Sequence, residues 1–166
     1  MFPQYLSSWT SDEKIILHLW ASGKTREEIV QSLAITETKY TQQRMEILRK
    51  MNTSTEAGAV AYALANGLIT FEIVPSSHLM KMVRSLTIRE VEVLCTLAEP
   101  AMQGETLGNV AREMNIAQGT LKKHLERVYE KLGRFGITNR TSATCLGIQL
   151  AAHRQFISGF INSGRK

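Results

Sequence analysis

The sequence predicts an all-α protein built from two tandem helix-turn-helix units, and three observations carry that reading. The first is the stretch 106–132, in which one helical apolar stripe gives way to another across a sharp break. Leu107, Val110, Ala111 and Met114 recur at helical spacing, and Leu121, Leu125, Val128 and Leu132 form the next stripe. Between them Asn115 tolerates the left-handed conformation a helix end requires, and Ile116 pins the turn to the core. The second observation is recurrence. Ile29, Leu33, Ile35, Ile47, Lys50 and Met51 stand 81 residues before Val110, Met114, Ile116, Val128, Lys131 and Leu132. The third is a pair of T-x-x-E capping boxes, Thr10 to Glu13 and Thr87 to Glu90, 77 residues apart, each opening an apolar-periodic helix.

Residues beyond that bare pattern carry a family resemblance. Leu86-Thr87-Ile88-Arg89-Glu90-Val91-Glu92-Val93-Leu94, Val110-Ala111, Thr120-Leu121-Lys122 with His124, Lys131-Leu132-Gly133 and Asn139-Arg140-Thr141 resemble the DNA-binding domain of the LuxR/GerE group of bacterial transcription regulators. The first unit is similar to the same domain through Glu28-Ile29, Leu33, Ile35-Thr36, Lys50-Met51, Ala59-Val60-Ala61-Tyr62-Ala63-Leu64 and Gly67-Leu68-Ile69. The resemblance implies four helices per unit, a third helix that enters the DNA major groove, and a fourth that often makes a dimer contact.

In the first unit, residues 1–8 read as a short arm anchored by Trp9. Helix one is expected over 11–21, with Ile15, Ile16, Leu19 and Trp20 facing inward and Gly23 stopping it. Thr25-Arg26-Glu27-Glu28 is a further capping box that opens helix two, and Thr36 caps helix three. Lys39, Gln42, Gln43 and Glu46 then face outward, with Thr41 and Arg44 beside them, giving a polar but nearly neutral surface. Where the family commonly has Thr-Val-Lys followed by His, this unit has Lys39-Tyr40-Thr41 followed by Gln43, and Glu56 replaces a late Arg. Gln42 and Gln43 can bond adenine edges bidentately. Two readings of Thr41, Gln42 and Gln43 therefore stand: base contact with little electrostatic help, or a structural or protein-binding surface. Helix four, 56–65, is rich in small residues; Ala57, Val60, Ala61 and Leu64 suit a helix interface, and equally suit plain scaffold, since Ala is the best helix former.

Periodicity lapses after Thr70, and Pro75-Ser76-Ser77 marks the clearest break in the chain. The first unit thus spans 1–70, a linker 71–85, and the second unit 86–166, with 78–83 reading as a short helix that leads into it. Pro100-Ala101-Met102-Gln103 and Arg134-Phe135-Gly136 lengthen two turns of the second unit, where loops absorb insertions. Asn109 replaces the family's acidic residue, and Ala117 replaces a capping Ser or Thr, leaving helix three without its own side-chain cap. Helix four is expected over 141–153 with continuation towards Gly159, and the apolar residues of the tail, Phe160 and Ile161, point to docking against the first unit or a partner.

Composition sets bounds on function. The 166 residues are 43% hydrophobic and 21% charged, which suits small globular units rather than disordered tracts. Cys95 and Cys145 are far apart without His or Cys neighbours at ligand spacing, so they read as core residues and no metal site or cofactor is expected. No apolar run reaches the ~18–20 residues of a membrane span, and a cytoplasmic protein is expected. Phosphate-binding loops, H-E-x-x-H and nucleophile elbows are absent, so an enzyme is not expected. Charge is asymmetric: residues 1–75 hold 7 Lys and Arg against 8 Asp and Glu, whereas 76–166 hold 13 against 7. Phosphate neutralisation supplies most non-specific DNA affinity, so the second unit is the expected main contact.

The candidate DNA-binding residues are accordingly Thr120, Lys122, Lys123, His124, Glu126, Arg127 and Arg140, with Thr41, Gln42 and Gln43 in the first unit. Double-stranded DNA is the expected partner of a transcription regulator working as a homodimer or an intrachain pseudo-dimer. Two alternatives remain: an adaptor or anti-activator gripping another regulator or RNA polymerase, and a small sigma-factor-like protein. Against the latter, the first unit lacks an aromatic-rich promoter-melting helix.

Overall fold

The computed structural model describes residues 9–70, 76–99 and 105–152. The expected arm at 1–8, Pro75, the turn at Pro100, and the continuation of the last helix and its tail lie outside the described residues. The chain is all-α. An N-terminal group holds α1 (Ser11–Ala21), α2 (Arg26–Leu33), α3 (Glu37–Lys50) and α4 (Glu56–Ala65). A C-terminal group holds α5 (Ser76–Val83), α6 (Ile88–Ala98), α7 (Leu107–Glu113), α8 (Gln118–Leu132), a 3₁₀ turn (Gly133–Phe135) and α9 (Arg140–Ala152). No strand occurs among the described residues.

Side-chain caps set the helix starts. Thr10, Thr25 and Thr87 each accept from the amide three residues on, while Glu13, Glu28 and Glu90 bond back to the cap amides. Thr36, Thr55 and Thr106 cap α3, α4 and α7, and Ala117 leaves α8 without a side-chain cap. The turn between α2 and α3 and that between α7 and α8 share one backbone feature, a left-handed residue 81 positions apart. It is Ala34 at φ 49° in one and Asn115 at φ 51° in the other. Asn adopts this conformation readily, whereas Ala meets the Cβ–carbonyl repulsion that disfavours it.

The inward face of α1 differs from the periodic reading. Ile15 is 44% exposed and Leu17 is fully buried. The cause is Glu13, whose carboxylate points into the protein, so that positions three, four, seven and eight residues on, Ile16, Leu17, Trp20 and Ala21, must follow it inward. The stretch read as a linker also contributes to packing: Leu79, Met82 and Val83 of α5 join the C-terminal core with Leu94, Val110, Leu121, Leu125 and Val128.

Helix α9 lies between the groups. It packs against α6, α4 and α1, and Thr141, Ser142, Ala143, Thr144, Cys145, Leu146 and Gly147 are consecutively buried. Ala143, Leu146 and Leu150 belong to the C-terminal core, while Cys145 belongs to the N-terminal one with Ile16, Trp20, Ile29, Ile47 and Val60. Two further bonds join the groups: the Gly23 carbonyl accepts from Thr138 Oγ1 at 3.2 Å and from Asn139 Nδ2 at 3.0 Å. On the other side, Gly147 lets α9 approach α6 so closely that an added Cβ would lie 2.1 Å from the Leu94 carbonyl oxygen. Gly147→Ala should therefore force α6 and α9 apart and cost about 1–3 kcal/mol. A urea-unfolding midpoint clearly below that of the unaltered protein is the expected outcome.

Candidate nucleic-acid interface

Helix α8 divides cleanly into two faces. Leu121, Leu125, Val128 and Leu132 are buried, and this fixes Thr120, Lys122, Lys123, Glu126 and Arg127 in solvent. The structure thus brings five of the expected contact residues together on one helical surface. None of Lys122, Lys123 and Arg127 has a carboxylate within ion-pair distance among the described residues. Three exposed cations without an ion-pair partner among the described residues suit phosphate, although Glu126 and Glu130 are exposed on the same helix.

His124 and Arg140 are placed differently. His124 is half-buried, and its Nδ1 is enclosed without a hydrogen-bond partner. Arg140 is half-buried at the start of α9; its guanidinium donates to the Glu105 carbonyl, and its Nε has no partner. Burial lowers the Arg140 pKa from its ordinary value, with Tyr129 and Glu105 opposing that shift. Burial likewise pushes the Tyr129 hydroxyl up to about 12, with Arg140 opposing. Arg140 is therefore tied into the junction of α9 with the segment before α7.

In the N-terminal group Thr41 and Gln42 are exposed, although the Thr41 hydroxyl already donates to Glu37 O at 2.9 Å. Gln43 is not turned outward as its spacing implied. It is half-buried, its Nε2 reaches Asp12 Oδ2 at 3.5 Å, and its Oε1 is enclosed without a partner. Gln43 stands 81 residues before His124 and shares its half-buried setting. The cations of this group are largely compensated: Arg26 pairs with Glu37, Lys24 with Glu28, Arg44 with Glu56, Arg49 with Glu46 and Lys50 with Glu13. Glu56 thus lies against Arg44 at 2.7 Å. The exposed pairs among these add little stability, unlike the largely buried Lys50–Glu13 pair, but all of them cancel the field that would attract phosphate. Of the expected interface residues, Ala57, Val60 and Ala61 are buried and Leu64 is half-buried, all within this chain; Val60 and Leu64 pack in the N-terminal core, on a helix whose neighbours are α1, α3 and α9.

One polar feature recurs and was not read from the sequence. Lys50 Nζ meets Glu13 Oε1 at 2.6 Å, and Lys131 Nζ meets Glu90 Oε2 at 2.6 Å. Both glutamates are capping-box residues, of α1 and of α6, and both lysines lie at the C-terminal end of a helix, α3 and α8. The signal was present, since these residues belong to the two recurring offsets. What the sequence could not supply was that the carboxylate turns inward. The Glu90 side chain is 1% exposed and that of Lys131 35%.

Residues 84–146 match the family described as "Bacterial regulatory proteins, luxR family". The chain therefore carries one LuxR-family helix-turn-helix domain, which takes in α6 to α8 and the first half of α9. Over 67 residues it is 37% identical to the protein named "Putative HTH-type transcriptional regulator YhjB" of Escherichia coli (strain K12). That alignment covers 40% of this chain and 30% of the relative, so the chain spans less than a third of the relative's length. No solved structure matches the chain. No described helix is long and apolar enough to cross a membrane.

The Glu90–Lys131 pair sets a pH dependence. Burial pushes the Glu90 carboxyl up, but the Lys131 ammonium and the Thr87 amide more than offset it, and the net pKa lies below the ordinary 4.5. A carboxyl depressed in the folded state stabilises fully above its unfolded pKa and loses that contribution as pH falls through the folded one. Glu90→Gln should accordingly cost about 1–3 kcal/mol near neutral pH. The difference from the unaltered chain should shrink as pH falls below 4.5. Urea titrations of both proteins at neutral and acid pH check this.

Proposed function

We propose that the protein is a DNA-binding transcription regulator whose main DNA contact is α8. The observation that carries this reading is the solvent face of α8, where Lys122, Lys123 and Arg127 stand uncompensated beside Thr120 and Glu126 within the luxR-family segment. The cations engage phosphates, and Thr120 and Glu126 face base edges, Glu126 as an acceptor for a cytosine amino group. Arg140 then acts by holding the start of α9 rather than by reaching bases, and His124 by orienting α8 from its half-buried position.

The N-terminal group is read as a divergent second copy of the same unit. The shared left-handed turn residue, the shared capping boxes and the shared Glu–Lys pair support this. Its own DNA contact is the weaker one, through Thr41 and Gln42, because most of its cations are matched by carboxylates. Packed on α9 through α4, it supplies a second unit within the same chain, so the regulator works as an intrachain pseudo-dimer.

Electrophoretic or fluorescence binding to duplex DNA across a salt series tests the main claim. Lys123→Ala should weaken binding and reduce the slope of log K against log salt by about 0.9, the share of one phosphate. Glu126→Ala should change sequence preference more than affinity. A folded Lys122→Ala, Lys123→Ala, Arg127→Ala triple variant with undiminished affinity would reject α8 as the DNA contact.

A further inference from the structure

A cavity of about 310 Å³ opens between α5 and the 3₁₀ turn that follows α8, lined by His78, Lys81, Met82, Ser85, Arg134 and Phe135. Its lining combines two chemistries. Met82, which is buried, and Phe135, which packs on the C-terminal core, give an apolar floor. His78, Lys81 and Arg134 are exposed at the rim, and no carboxylate among the described residues lines the space. Lys81 and Arg134 have no carboxylate within ion-pair distance among the described residues, and Arg134 lies over the Phe135 ring at 4.8 Å.

Neither wall has a counterpart in the N-terminal group among the described residues. Helix α5 precedes the luxR-family segment, which begins at residue 84, and Arg134-Phe135-Gly136 has no counterpart after α3. An apolar floor with a cationic rim recognises a molecule with an apolar body and one anionic end, and the volume lies at the small end of the ~300–1,000 Å³ typical of ligand pockets. We propose that this cavity is a binding site for a small organic anion of the aliphatic or aromatic carboxylate class, held by Lys81 and Arg134 over Met82 and Phe135.

The site is placed to affect the rest of the molecule. The turn that forms one wall runs on through Gly136, which lies against Ser22, to Thr138 and Asn139, which bond the Gly23 carbonyl. An occupant therefore bears on the segment that joins the two helix groups.

The test uses the full chain with sodium octanoate and sodium benzoate as probes, inorganic phosphate as the control anion, and NMR titration or calorimetry as the readout. Saturable one-to-one binding of a carboxylate is expected, weakened about tenfold or more by Lys81→Gln with Arg134→Gln, as loss of charge-assisted hydrogen bonds implies. Phe135→Ala should also weaken it. Met82→Leu, which keeps an apolar floor, controls for a folding defect and should retain binding. The proposal is overturned if neither carboxylate binds saturably up to millimolar concentration. It is likewise overturned if phosphate binds as tightly as the carboxylates with no effect of Phe135→Ala, which marks a plain anion site. A third overturning result is that the Lys81, Arg134 variant lowers DNA affinity and its salt slope while carboxylate binding is absent, which assigns these cations to DNA phosphate.

Discussion

The arrangement depends on one helix that has no solvent face along most of its length. Seven consecutive residues of α9, from Thr141 to Gly147, are buried. A helix can be enclosed in this way only if its neighbours approach closely on opposite sides, which requires small side chains there. On one side Gly147 admits the Leu94 carbonyl of α6; on the other Cys145 joins the core formed by α1, α3 and α4. Burial pushes the Cys145 thiol up to about 12, which leaves it an unreactive packing residue. Each helix group is small enough that a core of its own is marginal, so sharing α9 stabilises both.

Within each group a single carboxylate ties the ends of the bundle together. Glu13 and Glu90 cap the first turn of their own helices and at the same time meet Lys50 from the end of α3 and Lys131 from the end of α8. A buried carboxylate is tolerable only with such a full set of partners. The pair thereby fixes which face of α1 and of α6 points inward, and hence the orientation of α3 and α8 against them. The exposed faces of α3 and α8 follow from that choice, and the difference between them lies in compensation. On α3, Arg44 and Arg49 have carboxylate neighbours and Lys39 has none, whereas on α8 Lys122, Lys123 and Arg127 all lack one among the described residues.

Much of this was legible in the sequence because it is local. The caps at Thr10, Thr25, Thr36 and Thr87, the left-handed Asn115 and the α8 stripe are set by residues within a turn or two of one another, and the sequence places them correctly; Thr55 and Thr106 cap α4 and α7 without such a reading. What escaped depends on distant residues. Ile15 was placed inside because apolar periodicity alone counts it, whereas the inward turn of Glu13 towards Lys50 moves the face to Leu17. Helical spacing alone puts Gln43 outward, whereas its Nε2 reaches Asp12 of α1. The stretch 76–83 falls within the expected linker, though 78–83 reads as a short helix, because its buried residues, Leu79, Met82 and Val83, find their partners in helices that come later in the chain. For the same reason the small residues of α4 read equally as scaffold and interface, since the helix that packs on them, α9, lies far along the chain.

The central claim is that the two helix groups act as one pair of reading units within a single chain. Solution mass determined together with a DNA footprint tests it most directly. The account predicts a monomer that protects two adjacent half-sites about 34–36 Å apart along the duplex. A dimer with a single half-site protected per chain would contradict it.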